Sequence, residues 1–290
     1  MTGAAGSVWL TLLASFGGGV AGAAFGAVPM FVLCGLASVA GTVVTIISGD
    51  ASFQTQITWG PFLGPHVAFA GGVAAAAYAA RRGALPSGRD IVTPLLKLGR
   101  GDVLLVGGMF GVLGSLIAGA WLLVPNGRGT PWKNAIALSI VVSGVLVRLL
   151  FGKTGLLGKP GPGVRRWALD KSGESFPWRQ PLLPLAVLSI GLGLPAAISA
   201  VVYPRATGIF FSLAAVSLVF LAAGAKAPVV LHIVLAAELF ALAANSPWLG
   251  VAMGLAAAAL SEAAAVLFLV HGDTHIDPPA FSLAILLAFI

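Results

Sequence analysis

Apolar runs of roughly twenty residues follow one another along the whole of this chain, and that feature alone excludes most folds. A helix rising 1.5 Å per residue needs ~20 residues to cross the ~30 Å hydrocarbon core of a bilayer. Transmembrane barrels alternate apolar and polar positions instead, and that alternation is absent. Only 9% of residues are charged and 58% are hydrophobic, whereas soluble domains carry about 25% charge. The sequence therefore predicts an all-α, polytopic membrane protein. Ten segments are expected, over 8–25, 28–48, 65–82, 102–124, 133–151, 181–203, 207–224, 228–243, 248–270 and 279–290. The last would make only ~18 Å of helix, too short to cross unaided.

Other classes fall away quickly. The opening MTGAAGSVW lacks the basic stretch of a cleavable secretory signal. A single cysteine, Cys34, cannot make a disulfide framework. The net charge of +7 has no basic stripe interleaved with aromatics, so nucleic acid is not a partner. The expected surroundings are the lipid bilayer of the cell (plasma, or inner) membrane, crossed many times. Assembly into a homo-oligomer is compatible with the sequence.

Lysine and arginine placement sets the orientation. Arg81, Arg82, Arg89, Lys97 and Arg100 cluster at one loop, and Arg148, Lys153, Lys159, Arg165, Arg166, Lys171 and Arg179 at the 152–180 linker. Lys226 joins them, while Arg128, Lys133 and Arg205 lie on the opposite side. That bias puts both chain ends outside the cytoplasm. Trp9, Trp59, Trp121, Trp132 and Trp248 then gather at the outer interface, where amphipathic rings settle.

The Gly-, Pro- and charge-rich linker 152–180 divides the chain into five segments (1–151) and five more (181–290). An odd number per half makes the halves cross in opposite senses, the geometry of an inverted repeat. Residue patterns agree. FGGGVAGAAFGAVP pairs with IGLGLPAAISAVVYP at an offset near 174, and His66 pairs with His232 at 166. Ser115 pairs with Ser261 at 146, and the missing twenty residues match the basic loop 82–101.

Such repeats hold their solute near the midplane, so intramembrane ionisable residues are the first candidates for a site, because burying them is costly. His66 and His232 would line or gate a path. Glu238 and Glu262 are carboxylates inside apolar runs, with repeat mates Gly72 and Leu116, and would carry a proton or bind a cation. The turn HGDTHIDPP offers His271, Asp273, His275 and Asp277, ligand types suited to a divalent metal. Drawn out as a strand, these alternate residues would share one face. The plainer expectation is a polar turn in which Asp277 caps the helix that begins at the two prolines. A divalent metal is the one cofactor for which the sequence offers ligands. GRGD (99–102) imitates an intramembrane aspartyl protease motif but lacks a facing aspartate, and Asp102 is expected to cap a helix start.

GPHVAFAGG, DVLLVGGMFG and HGDTHIDPP together resemble a family of uncharacterised prokaryotic integral membrane proteins. No activity attaches to that family, so the resemblance implies no site residue. The five-plus-five plan with two related histidines is similar to the architecture of ammonium and urea channels, although the urea-transporter LPxxTxPF motif is absent. The expected function is a transporter or channel for a small polar or ionic solute. The alternative is a membrane-embedded, metal-dependent enzyme working at HGDTHID.

Overall fold

The computed structural model describes residues 4–126, 131–167 and 182–290. Among them every regular element is helical, and the one strand-like contact is an isolated bridge between Gly88 and Thr274. The helices are α1 (Ala4–Phe25), α2 (Ala27–Ser48), α3 (Ala68–Arg81), α4 (Gly101–Leu122) and α5 (Ala135–Phe151), then α6 (Leu182–Val202), α7 (Ile209–Ala222), α8 (Leu231–Ala244), α9 (Pro247–Ala264) and α10 (Pro278–Leu286). Each expected segment is helical over most of its length.

Among the described residues six stretches are long and apolar enough to cross a membrane: Ser7–Phe25, Ala27–Ser48, Gly101–Leu122, Leu183–Val202, Pro204–Ala222 and Pro247–Leu269. The last joins α9 to a π-helical turn, Ala265–Leu269. The remaining helices are shorter. α3 and α8 have 14 residues each, about 21 Å at 1.5 Å per residue. Both are entered from non-helical chain, at 59–67 and 225–230. Pro61, Pro65 and Pro228 account for that, because proline lacks the N–H a helix interior needs and pushes the preceding residue toward extended backbone.

Packing repeats between the halves. α1 packs on α3 and α4, α4 on α3 and α5, and α2 on α3. Likewise α6 packs on α8 and α9, α9 on α8 and α10, and α7 on α8. The halves join mainly where α2 meets α7 and α5 meets α10. The first of these pairs is antiparallel: the Ser38 and Ser212 hydroxyls stand 2.7 Å apart, and Gly35 lies against Ala215 and Val216. The second is antiparallel too, with Asn134 donating to the Ala284 carbonyl and Gly144 beside Ile276.

Small residues bring α1, α3 and α4 within backbone contact. A Cβ on Gly71 would sit 2.6 Å from Gly19 Cα, and one on Gly107 2.7 Å from the Gly19 carbonyl, so neither position admits a larger side chain without moving a helix. Where the halves meet, aromatic rings pack against one another. Phe31 meets Phe69 edge-on at 5.6 Å between centroids, and Trp59 meets Phe211 at 5.1 Å. Outward faces carry large apolar groups such as Trp9, Leu13, Ile47 and Leu123, all exposed. An apolar exterior on this scale marks a surface that meets something other than water.

Candidate functional site

Where α2, α5, α7, α8 and α10 meet, the packing leaves a cavity of about 610 Å³ with walls from both halves. Most of the wall is apolar: Phe31, Trp59, Phe69, Phe211, Leu235 and Leu283 contribute to it. Lys133 and Arg205 also line it and are exposed, so they stand at its mouth. His275 and Asp277 line it too, with His275 only 3% exposed, so they form its deep end.

The deep end is built by the HGDTHIDPP turn. Proline at 278 and 279 fixes the start of α10, and Asp277 Oδ2 accepts from the Ala280 N–H at 2.8 Å as its N-cap. Asp277 Oδ1 lies 3.1 Å from His275 Nε2. The His275 ring meets Phe69 edge-on at 5.9 Å. A second, water-sized chamber of about 10 Å³ adjoins the pair between Phe69, Ile140 and Gly144. His232, at the start of α8, lies within electrostatic reach of Asp277.

The rest of the turn faces away from the cavity. His271 Nε2 pairs with the Arg166 carbonyl at 3.1 Å, and the His271 carbonyl accepts from the Lys159 N–H. Asp273 accepts from the Lys153 N–H and the Thr154 hydroxyl. The four ligand types that would share one face in a strand are therefore divided among three neighbourhoods. Among the described residues no group of three or more His, Cys, Asp or Glu stands close enough to hold one metal ion. The metal expectation assumed an extended turn. The chain bends at Asp273 instead, and of the four only His275 and Asp277 stay together.

The intramembrane candidates separate as well. His66 is 6% exposed, with its backbone against Gly114 of α4, and His232 is 4% exposed. Neither lines the cavity, and the Nδ1 atom of each has no hydrogen-bond partner among the described residues. Glu238 is fully buried and also lies off the cavity. Its carboxylate accepts from the N–H groups of Gly208 (3.0 Å), Phe210 (3.1 Å) and Phe211 (3.4 Å). It thus occupies the start of α7, where a helix leaves N–H groups unpaired and favours negative charge. Glu262 is partly buried on α9 and off the cavity wall. Asp102 does not cap α4 through its side chain; Arg100 at 2.6 Å and Tyr78 at 3.0 Å hold it.

Sequence reasoning missed Arg148, which counted only as a topological charge. It is 1% exposed. It donates to the Thr274 hydroxyl, to the carbonyls of Thr274, Phe268, Gly155 and Leu156, and lies 3.7 Å from Asp273. A side chain at position 272 would run into its guanidinium, which is why glycine stands there. Arg89 adds a bond to the Val270 carbonyl at 3.1 Å. A lone arginine in the last turn of an apolar segment was the available signal, since such a charge must be paired if it is buried. Gln54, Thr42 and Ser38 were missed for a different reason. They are uncharged, and only the fold brings Gln54 Nε2 to within 2.7 Å of the Thr42 hydroxyl on the cavity wall.

Fold and cavity together define a protein that is all-helical among the described residues, with six helices there of membrane-crossing length and a chamber between its two halves. The chain belongs to a family of unknown function, DUF7973, whose model matches residues 3–170 and 176–290. No curated protein and no solved structure matches it, so the likeness to ammonium and urea channels finds no counterpart there.

Proposed function

We propose that the chain is a multi-pass membrane transporter, built as a ten-segment inverted repeat, whose solute occupies the cavity between the halves. The observation that carries this reading is the cavity's position. It is walled by both halves, open at Lys133 and Arg205, and closed at His275 and Asp277. Solute sites at a repeat interface, lined by interrupted helices, are the general plan of such transporters.

The repeat draws support from residue register. The offset of 174 read from the sequence maps Ser38 onto Ser212, and these are the two side chains that touch where α2 crosses α7. In a two-fold arrangement a residue meets its own mate only on the axis, and the paired helices then run antiparallel, as α2 and α7 do. The packing of α1, α3 and α4 recurs in α6, α8 and α9. In the orientation set by the basic loops, the cavity mouth faces outward, and the HGDTHID turn with Arg148, Arg89 and the 152–167 segment closes the cytoplasmic end.

The path so proposed runs past Thr42, Gln54, Phe69 and the His275–Asp277 pair, not through His66, His232, Glu238 or Glu262. In a Cys34→Ala background, the single substitutions Ile140→Cys and Leu283→Cys test it. A membrane-impermeant maleimide should label both from the outer face of intact cells and, more slowly, from the cytoplasmic face of inverted vesicles. Protection from both faces would sink the reading, and labelling from one face alone would reduce the protein to a one-sided receptor.

A further inference from the structure

We propose that the cavity takes an amphipathic organic anion, with an acidic head at Lys133 and Arg205 and an apolar body along the aromatic wall. This rests on the reading of the cavity as the solute site and names the class of solute. Three observations carry it. The volume, about 610 Å³, falls within the ~300–1,000 Å³ of small-molecule sites and far exceeds what a hydrated inorganic ion needs.

The wall offers little to replace an ion's water. Phe31, Trp59, Phe69, Phe211, Leu235 and Leu283 present carbon. The polar groups beside them are largely engaged with one another: Gln54 Nε2 donates to the Thr42 hydroxyl and the Ser38 carbonyl, and Asp277 holds His275 and the Ala280 N–H. An ion without a hydrating shell is far more costly there than an apolar chain.

The mouth carries uncommitted positive charge. Lys133 and Arg205 are exposed, line the cavity, and have no hydrogen-bond or ion-pair partner among the described residues. Thr207, two residues beyond Arg205, lines the same cavity, and its hydroxyl is buried without a partner among the described residues. Among the described residues the one carboxylate on the wall, Asp277, is at the other end and already caps α10. A cationic rim, a spare hydroxyl and an apolar interior together fit a carboxylate, sulfonate or phosphate bearing a hydrocarbon or aryl body.

The wall supplies its own reporters, Trp59 and Trp132. Purified full-length protein in phosphatidylcholine nanodiscs is titrated with bromoundecanoate, bromoundecanol and bromoundecyl-trimethylammonium. These share one quenching tail and differ in head charge. The signal from the site is the quenching lost in a Trp59→Phe/Trp132→Phe variant. The acid should quench saturably, with a midpoint about tenfold or more below that of the ammonium compound, as one charged hydrogen bond implies. Lys133→Gln/Arg205→Gln should abolish that preference and leave the alcohol unchanged; both side chains are exposed, and unchanged quenching by the alcohol confirms a folded cavity. Equal midpoints for all three heads, or a preference that survives the double substitution, overturns the anion assignment. Absence of any saturable quenching, while the Ile140→Cys and Leu283→Cys variants still react with maleimide, overturns it too and leaves the transport reading standing; failure of the labelling removes that reading first. Doping the discs with phosphatidylglycerol separates the sources. Loss of quenching by the acid assigns the rim to a lipid headgroup, and persistence assigns it to a dissolved amphiphile.

Discussion

Gly72 on α3 and Glu238 on α8, paired in sequence by the His66–His232 offset of 166, each pack at a helix start, and they do so by opposite means. Gly72 on α3 packs on the joint between α1 and α2, where an added Cβ would lie 2.6 Å from the Gly22 carbonyl and 2.8 Å from Ala27. At that joint the Ile91 carbonyl, from the 82–101 loop, accepts from the Val28 N–H at 3.0 Å in the first turn of α2. The second half has no such loop. There Glu238 reaches across from α8 and accepts three N–H groups at the start of α7. One helix start is served by a loop carbonyl, the other by a carboxylate.

The same contrast recurs at the two turns. The one after α4 is pinned from outside, by Trp132 donating to the Val124 carbonyl and Trp121 to Asn134; residues 127–130 of PNGRGT lie outside the described residues. The turn after α9 is pinned from within, by Arg148. Glu238 on α8 and Arg148, reaching across from α5, thus hold a helix start and a turn of the second half, where a loop carbonyl and tryptophans hold those of the first.

The contrast can be broken most severely at Arg148. Arg148→Met leaves the carbonyls of Phe268 and Thr274 unpaired in the interior. Loss of a buried, hydrogen-bonded charge is expected to cost about 3–5 kcal/mol, read as loss of monodisperse protein after heating in detergent. Stability equal to wild type would show that the HGDTHID turn does not need its arginine. Glu238→Ala comes next, at about 2–3 kcal/mol, because several buried N–H groups lose their acceptor. Glu238→Gln, which keeps one acceptor oxygen, should recover part of that, whereas a proton carrier would lose transport in the glutamine variant without losing stability.

Gly72→Ala tests the other half. Its cost, about 1–3 kcal/mol, comes from crowding against backbone, so the thermal loss should appear with no polar group removed. Asp273→Asn is expected to be mildest, at or below about 1 kcal/mol, since the group is partly exposed. Burial raises the Asp273 pKa, but bonds from Thr154 and the Lys153 N–H, with the nearby Arg148 charge, outweigh it and hold the carboxyl below its usual range. The wild-type advantage over the asparagine variant should therefore be full at neutral pH. It should shrink as pH falls below the ordinary carboxylate value of about 3.9. An advantage that grew on acidification would contradict the geometry.

Each of the four ligand-type residues of HGDTHIDPP has a structural partner. Asp277 caps α10 and holds His275. Asp273 and His271 bind the 152–167 segment. Only His275 and Asp277 reach the cavity. The turn and its cap were legible because proline, aspartate and glycine act locally. The division of its four ligand-type residues was not, because it depends on Arg148, 126 residues away from Thr274. His66 and His232 were legible as costly buried groups, but which side of a helix faces a cavity depends on neighbours that a stretch apolar on all sides does not specify.

By itself the sequence determined that the described chain is all-helical, where its ten apolar helices fall and why two of them are short. All of these follow from chain-local causes: hydrophobic length and prolines before short helices. The tertiary structure alone decided that Glu238 closes a helix start, that Arg148 is sunk beneath a turn, and that Lys133 and Arg205 share one mouth. Those outcomes depend on which backbone groups are left unpaired once the helices pack, and an unpaired group comes into being only with the fold.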